Sequence, residues 1–363
     1  MAEKHPAADP EQVLRQTLAM IAPGTVLRDG LERIVLGSTG ALVVLGHDKS
    51  VDQLAGGGFN LDVELTATRL RELAKMDGAI VCDSTVTRIM RAATQLLPDP
   101  SIPTDETGTR HRTADRVAKQ TGLPVISVSK SMSTIALYVA GRRYVLEDRA
   151  NILARADQAI STLERYKIRF DTVTGALLAL EIEDLVTVRD VALVVQRLEM
   201  VRRIAREIDG YVVELGTDGR LLKLQLDELV AGLENDRDIL LRDYVPSAPK
   251  KDPMKLVAAA AAAIDALSDV QLLDFAEVGA ALGLGNVTDA PAAPRGYRML
   301  ARIPRLSETI VERLVAHFRR LQPLLSAGMD ELLAVEGVGE TRARSIRDGL
   351  ARIAETTMLE RFV

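Results

Sequence analysis

The sequence predicts an α/β domain with a mixed central sheet at the amino end, followed by two all-α regions. Three observations lead there. Short apolar runs of strand character alternate with helical patterns as far as about residue 148. From 149 to 290 the strand signal nearly vanishes, and apolar residues recur at spacings of three and four with charges between them. After DAPAAPRG, Asp289 to Gly296, the charge changes character: Pro291 to Val363 carries 12 Arg, no Lys and 9 Asp or Glu, a net +3, against −8 for the rest of the chain. A chain of 363 residues suffices for two or three cores, and the three regimes set domain boundaries at 1–148, 149–290 and 291–363.

Composition narrows the class. Hydrophobic residues make up 47% of the chain, which excludes a disordered polymer, and a net charge of −5 excludes a general nucleic-acid coat while allowing a local basic patch. The single cysteine, Cys82, lies inside the apolar run GAIVC and reads as a small core residue; it excludes a disulfide framework and a Cys-rich zinc site. His5, His47 and His317 have no neighbours at metal-ligand spacing. The opening MAEKHPAADPEQ lacks the apolar stretch of a secretion signal, and LVAAAAAAIDAL is too short to span a bilayer. A cytoplasmic protein without a membrane partner is expected.

The elements follow in order. RIVLGSTGALVVLG, GAIVCD, LPVISVS and TIALYVAG read as strands, with Ser38–Gly40 as a hairpin turn in the first. TATRLRELAKM puts Leu70, Leu73 and Met76 at helical spacing. Two long amphipathic stretches, LVTVRDVALVVQRLEMVRRIAREIDG and LLKLQLDELVAGLENDRDILLRDYV, then predict a helical bundle, broken by VPSAPKKDP, Val245 to Pro253. No chemistry-bearing cluster falls in that bundle, so it reads as a spacer or assembly spine. In the last region Leu332, Leu333 and Val335 mark a short helix, EGVGE a tight turn, and Ala343, Ile346 and Leu350 a second helix.

Candidate sites sit at both ends. Asp77-Gly78-Ala79 stands at a helix-to-strand corner. In ETGTRHRTADR, Glu106 to Arg116, the residues Gly108, Thr109, Arg110, His111, Arg112 and Thr113 open a helix. A helix start, guanidinium groups and hydroxyls together make an anion site. Ser127, Ser129 and Ser131 place hydroxyls at a strand end. Gly337-Val338-Gly339 permits a backbone that presents N–H groups at a helix start, and Arg342, Arg344 and Arg347 add charge beside it. A polyanion is the expected partner of the carboxyl end. No cluster of carboxylates lies near that hairpin to hold two metals, which argues against a nuclease.

These strings carry a resemblance. MDELLAVEGVGETRARSIRDGLARI resembles a helix-hairpin-helix element. The residues before it resemble the tandem form, with a first hairpin at Ile303 to Leu306 that lacks Gly-x-Gly. GGGFNLDVELTATRLRELAKMDGAIV, IPTDETGTRHRTADRVAKQTGLPVISVS and IALY resemble the diadenylate cyclase domain, with its Asp-Gly-Ala and Arg-His-Arg motifs. Over nearly its whole length, and in domain order, the chain resembles the DNA integrity scanning family of bacterial diadenylate cyclases. The architecture implied is an α/β cyclase domain with a mixed central sheet, an all-α helical linker or spine, and an all-α helix-hairpin-helix domain.

The reaction implied is condensation of two ATP into cyclic di-AMP with release of two pyrophosphates. Because each ribose 3′-hydroxyl attacks the other nucleotide, two cyclase domains must face each other, and the family assembles as a homo-octamer. The resemblance gives Asp77 a Mg²⁺ or Mn²⁺ ion and activation of the 3′-hydroxyl. It gives Gly78 and Ala79 the backbone beside the nucleotide, and Thr109, Arg110, His111, Arg112 and Thr113 the phosphates, with Ser129 near the triphosphate. Gly337, Val338, Gly339, Arg342 and Arg344 would hold the backbone of branched, Holliday-junction-like DNA without reading its sequence, on a nucleoid-associated protein. The chain departs from the family pattern in SKSMSTIALY and MRAATQLLP. The alternative reading is a structural DNA-binding protein whose amino-terminal domain senses a nucleotide without turning it over.

Overall fold

The computed structural model describes residues 9–247 and 252–360. It divides into two compact units, Met1–Gln158 with Glu207–Gln225, and Ala159–Arg206 with Leu226–Val363. The first unit contains α1 (Pro10–Met20), α2 (Val26–Leu36), β1 (Ala41–Leu45), α3 (Lys49–Leu54), β2 (Ala55–Gly56), β3 (Phe59–Glu64), α4 (Ala67–Leu73), β4 (Ala79–Cys82), β5 (Arg88–Leu96), α5 (Thr109–Thr121), β6 (Val125–Ser129), β7 (Thr134–Val139) and β8 (Arg142–Val145).

One sheet runs in the order β2-β5-β4-β1-β6-β7-β8, with β3 also paired to β5. Only β1 and β4 run parallel and every other pair is antiparallel, so the sheet is mixed, as the sequence predicts. β1, β4 and β6 are buried along their whole length, which is why they read as unbroken apolar runs. Their alternate residues feed two cores. Val43, Leu45, Ile80, Cys82, Ile126 and Val128 pack with Leu31, Ile34 and Leu70 of α2 and α4. Leu42, Val44, Val81 and Val125 pack with Ala114 and Val117 of α5. The sheet is thus covered on both faces, and the chain ends that leave it toward α5 build the candidate cleft.

Several expectations are corrected. The strand and hairpin expected around Ser38–Gly40 are not formed. Arg33 to Leu36 is the last turn of α2, which Thr25 caps by accepting from the Arg28 N–H, and Leu27, Leu31 and Ile34 are its buried stripe. So short an apolar run fits helix or strand equally well, and the packing face decides. Ser38, with φ of 50°, then turns the chain into β1. α4 ends at Leu73, so Met76 lies outside the helix and is exposed. β5, which the sequence reading omitted, is the longest strand among the described residues. Its Arg88, Arg91 and Gln95 interrupt the apolar pattern that would have marked it.

Beyond β8 the chain is helical, as predicted: α6 (Arg149–Glu183) and α7 (Val188–Leu215) contribute to both units, followed by α8 (Arg220–Leu229), α9 (Leu233–Tyr244), α10 (Pro253–Asp265), α11 (Asp269–Leu272), α12 (Phe275–Ala281), α13 (Tyr297–Ala301), α14 (Glu308–Phe318), α15 (Leu321–Leu325), α16 (Met329–Leu333) and α17 (Glu340–Glu360). The break expected over Val245–Pro253 falls in part on 248–251, outside the described residues. Within the second unit, Asp243 accepts from the backbone N–H groups of Arg295, Gly296, Tyr297 and Arg298 and so caps α13. Arg298 pairs with the buried Glu181, which also accepts from the Tyr244 hydroxyl at 2.6 Å. These charges tolerate burial because each is matched by an opposite charge or by several donors.

Candidate active site and nucleic-acid interface

The corner after α4 is held by backbone geometry. Gly78 has φ of +110°, and a Cβ there would stand 2.5 Å from the Ala93 carbonyl carbon and 2.8 Å from the Thr94 nitrogen. Glycine is therefore required on both counts. Its neighbour is a bulge in β5: Ala93 has φ of 53°, and the β4–β5 register shifts between Ala79 and Val81. Asp77 is exposed at this corner, while Ala79 begins β4 and is buried.

Facing it is the start of α5. The helix begins at Thr109, and its cap is Gly108, which offers no side-chain hydrogen bond. The first-turn N–H groups and the positive end of the helix dipole therefore open toward the cleft. Arg110 lies across Gly40, where a Cβ would come within 2.8 Å of its guanidinium carbon. The Thr113 hydroxyl donates to the Thr109 carbonyl at 3.0 Å. His111 Nδ1 lies 2.9 Å from the Tyr138 hydroxyl. Burial pushes the His111 pKa below its ordinary value, with Arg143 and Arg110 acting in the same direction and Glu106 opposing. Burial raises the Tyr138 pKa well above its ordinary value, helped by the nearby Glu106 carboxylate. At the end of β6, Ser129 Oγ is 3.3 Å from Ser131 Oγ and accepts from the Met132 N–H at 3.3 Å.

These groups line one open cleft of about 1060 Å³, formed by Asp77, Gly78 and Ala79, by Gly108 to His111 with Thr113, by Ser129 to Ser131, and by Leu42 with Ala93 to Leu96. Its size lies at the upper end for small-molecule sites. Of the nine residues predicted here, eight meet in the lining and Arg112 does not. Two positions along an α-helix turn a side chain by about 200°, so Arg110 and Arg112 point to opposite sides. Adjacent cations in the sequence are thus not crowded in space. Ser127 is fully buried, with its hydroxyl unpartnered among the described residues, and does not line the cleft. Sequence reading missed Gly40, the β5 bulge and Lys130, none of which bears a signal of its own.

Among the described residues no group of three His, Cys, Asp or Glu side chains is placed to hold a metal, and Asp77 is the only carboxylate in the cleft lining. One carboxylate suits a Mg²⁺-type ion that takes its remaining oxygens from substrate phosphates and water. It does not suit an all-protein metal cage.

In the second unit α16, the EGVGE turn and α17 form the expected hairpin. Leu332, Val335, Val338, Ala343, Ile346 and Leu350 are buried in its core, whereas Leu333 is exposed. Gly337 has φ of +87°, and a Cβ there would meet Arg313 Nη1 at 2.8 Å. Arg313 donates to the Glu336 carbonyl at 2.9 Å and Arg342 to the Gly337 carbonyl at 2.8 Å, so two guanidiniums brace the turn. Val338 spends its N–H on the Val335 carbonyl and its side chain on the core. Gly339 is different: a Cβ there meets nothing within 4 Å, so a ligand can approach the start of α17. Arg344 and Arg347 are exposed along that helix. The same pattern occurs one repeat earlier. α13 and α14 flank Ile303 to Leu306, and Arg305, with φ of 64°, occupies the position equivalent to Gly337.

An uncapped helix start, an arginine, strand-end hydroxyls and a lone carboxylate around one cleft define an α/β nucleotide-binding domain. Residues 28–143 match the family profile described as DisA bacterial checkpoint controller nucleotide-binding, and residues 146–290 match the DisA bacterial checkpoint controller linker region. The DNA integrity scanning protein DisA of Acidothermus cellulolyticus is 62% identical over 355 residues, 97% of this chain and 96% of that one. The protein of the same name from Streptomyces coelicolor is 60% identical over 360 residues, 98% and 96% of the two chains. Among solved structures, a double mutant of DacA from Staphylococcus aureus aligns with a TM-score of 0.29 at 20% identity, covering 37% of this chain and 88% of that one. At that score it bears on no residue of the cleft. The chain belongs to the DNA integrity scanning (DisA) family, and its amino-terminal domain is a diadenylate cyclase domain.

Proposed function

We propose that the protein condenses two ATP into cyclic di-3′,5′-AMP and two pyrophosphates at this cleft, and that its carboxyl-terminal hairpin binds the DNA backbone. The observation that carries the first half is the convergence of Asp77, the open start of α5 with Arg110, and Ser129 on one cavity of nucleotide size. Thr109, Arg110 and Thr113 hold the triphosphate through hydroxyls, a guanidinium and first-turn N–H groups. Arg112, outside the lining, adds to the positive field at the helix start without contact. Gly78 and Ala79 bring backbone against the nucleotide, and Ser129 accepts or donates at the strand end. Asp77 would hold a Mg²⁺ or Mn²⁺ ion. When bound, such an ion lowers the 3′-hydroxyl pKa and screens phosphate charge.

Each 3′-oxygen attacks the α-phosphorus of the opposite nucleotide, so one cleft holding one ATP is half a site. Two clefts from two copies complete it, within a homo-octamer. The helical region 149–290 is the spine of that assembly, between the cyclase domain (1–148) and the hairpin domain (291–363). At the hairpin, Gly339 and the start of α17 take a phosphate, Gly337 and Val338 shape the turn, and Arg342 and Arg344 add charge. Contacts of this kind carry no base information, so branched DNA is recognised by shape. Among the described residues no helix is long and apolar enough to cross a membrane, and we place the protein at the nucleoid in the cytoplasm. Incubation of the purified protein with ATP and Mg²⁺ or Mn²⁺, followed by chromatography, tests the reading. Cyclic di-AMP is the expected product. ATP bound and returned intact would make the domain a sensor.

A further inference from the structure

We infer that Gly58 and Ala93 are positioning residues for the cyclase reaction: the glycine turn between β2 and β3 presses on a bulge in β5, the bulge seats Gly78, and that seat aims the Asp77 carboxylate. The inference rests on the reading of Asp77 as the acidic residue of an ATP site.

Asp77 has only its main chain to aim it. It is exposed, and among the described residues no hydrogen bond or ion pair holds its side chain. A reacting group must be held in one place, so the carboxylate is only as well placed as the peptide at Gly78. That peptide lies directly on the bulge: a Cβ on Gly78 would stand 2.9 Å from the Ala93 Cα, besides its 2.5 Å approach to the Ala93 carbonyl carbon.

The bulge needs support of its own. Ala79 pairs with Thr94 and Val81 with Arg91, so β5 fits one more residue than β4 into the same span. Ala93 absorbs it at φ of 53°, a left-handed conformation that costs an L-residue energy. The buried Thr94 hydroxyl donates to the Ala92 carbonyl across it at 3.4 Å. Such a residue persists only where its surroundings impose the conformation.

Those surroundings come from the other edge of β5. Ala55 and Gly56 of β2 pair with Leu96 and Gln95, and Phe59 and Asn60 of β3 pair with Ala92 and Arg91. Gly57 and Gly58 turn the chain between them, with φ of +62° and +75°, and so stand opposite Thr94 and Ala93. A Cβ on Gly58 would lie 2.5 Å from the Ala92 carbonyl oxygen and 2.8 Å from that of Ala93, whereas a Cβ on Gly57 meets nothing within 4 Å. Arg91 ties the turn down by donating to the Gly57 carbonyl at 3.3 Å. The bulge is thus clasped between Gly58 and Gly78, and at both positions a side chain would strike backbone. A glycine run that by itself reads as a plain turn serves the cleft.

The two neighbouring glycines supply the test, in the full-length protein. Gly57→Ala and Gly58→Ala each force an alanine into the left-handed region of the same turn, so they share that cost. Only Gly58→Ala sets a methyl against the bulge. Ordinary contacts lie at about 3.5–4.0 Å, so the bulge must yield by about 1 Å. A misplacement of that size lowers the rate about a hundredfold, and this is the expected fall in kcat for cyclic di-AMP formation by Gly58→Ala. Gly57→Ala should stay within about threefold of the parent, and both should bind a non-cyclising ATP analogue within about threefold of it, because α5 holds the phosphates. Loosening of the whole cleft would move affinity and kcat together. Thermal melting shows which variants fold. If Gly58→Ala does not, position 93 carries the same comparison. Glycine adopts the positive φ and valine resists it, so Ala93→Gly should outrun Ala93→Val at least about tenfold at equal ATP affinity. Equal rates within either pair, or a loss shared by ATP affinity, overturns the inference while the cyclase reading stands. A parent that makes no cyclic di-AMP overturns both.

Discussion

Gly40→Ala is a probe of Arg110 that replaces no charged residue. The added methyl would lie 2.8 Å from the Arg110 guanidinium carbon and 3.1 Å from the Val128 carbonyl oxygen. Ordinary carbon contacts lie at about 3.5–4.0 Å, so the guanidinium must move by about 1 Å. That group is the end of a flexible side chain, and moving it costs the fold little. A charge-assisted hydrogen bond contributes about 1.5–3 kcal/mol, and a displacement of 1 Å forfeits most of it. The expected consequence is ATP binding weakened between about tenfold and a hundredfold. Titration calorimetry with a non-cyclising ATP analogue measures this, and thermal melting should show a midpoint within a few degrees of the parent. The decisive arm repeats the change in an Arg110→Ala background. There the methyl has no guanidinium to displace, and the affinity should not fall further. An equal loss in both backgrounds would place the effect in β1 and β6 and refute the assignment of Arg110 to phosphate.

Asp77→Asn should abolish cyclic di-AMP formation while ATP still binds, since an exposed corner loses a charge and no packing; product within tenfold of the parent would contradict this. Gly339→Glu adds a carboxylate where nothing stands within 4 Å, so DNA affinity should drop at least about tenfold with the melting midpoint unchanged. For the parent, affinity measured by titration of labelled branched DNA should fall as salt rises. Arg298→Ala strands the buried Glu181 and should destabilise the helical unit by about 3–5 kcal/mol in denaturant melts. Asp83 is pushed up by burial, but the Thr85 hydroxyl and the N–H groups of Arg88 and Thr87 outweigh this and hold it at about 2, below its ordinary 3.8. Its folded value is the lower one, so it contributes stability above 3.8 that is lost as pH falls toward 2. Asp83→Asn should flatten that part of an acid melting series.

The structure changes how the DNA-binding end can be examined. Deleting 291–363 would remove Arg298 and the N–H groups at the start of α13, leaving the buried Glu181 without its guanidinium partner and the buried Asp243 without these donors. Point substitutions on the hairpin avoid that cost.

Much of this protein is determined by its sequence alone. The strands β1, β4, β6 and β7 announce themselves because a strand buried on both faces needs apolar residues throughout. The 149–290 helices do so because one buried face leaves a three-and-four rhythm. Gly337 and Gly339 mark the hairpin because the backbone there needs a positive φ at one position and open space at the other. Arg110 was legible as part of an anion site at a helix start, but its meeting with Asp77 was legible only through the family resemblance, since nothing in their spacing says that they meet. Tertiary structure decided the rest. Arg33 to Leu36 became helix because Ile34 had a core to enter. β5 formed despite its arginines because β4 and β3 supplied both hydrogen-bonding edges. Arg112 left the cleft because a helix turns by a fixed angle per residue, and Gly40 and Tyr138 came to lie against Arg110 and His111 through sheet register. Periodicity records which face a segment buries. It does not record which distant residue that face will find, because register and packing are settled only when the whole sheet closes against its helices.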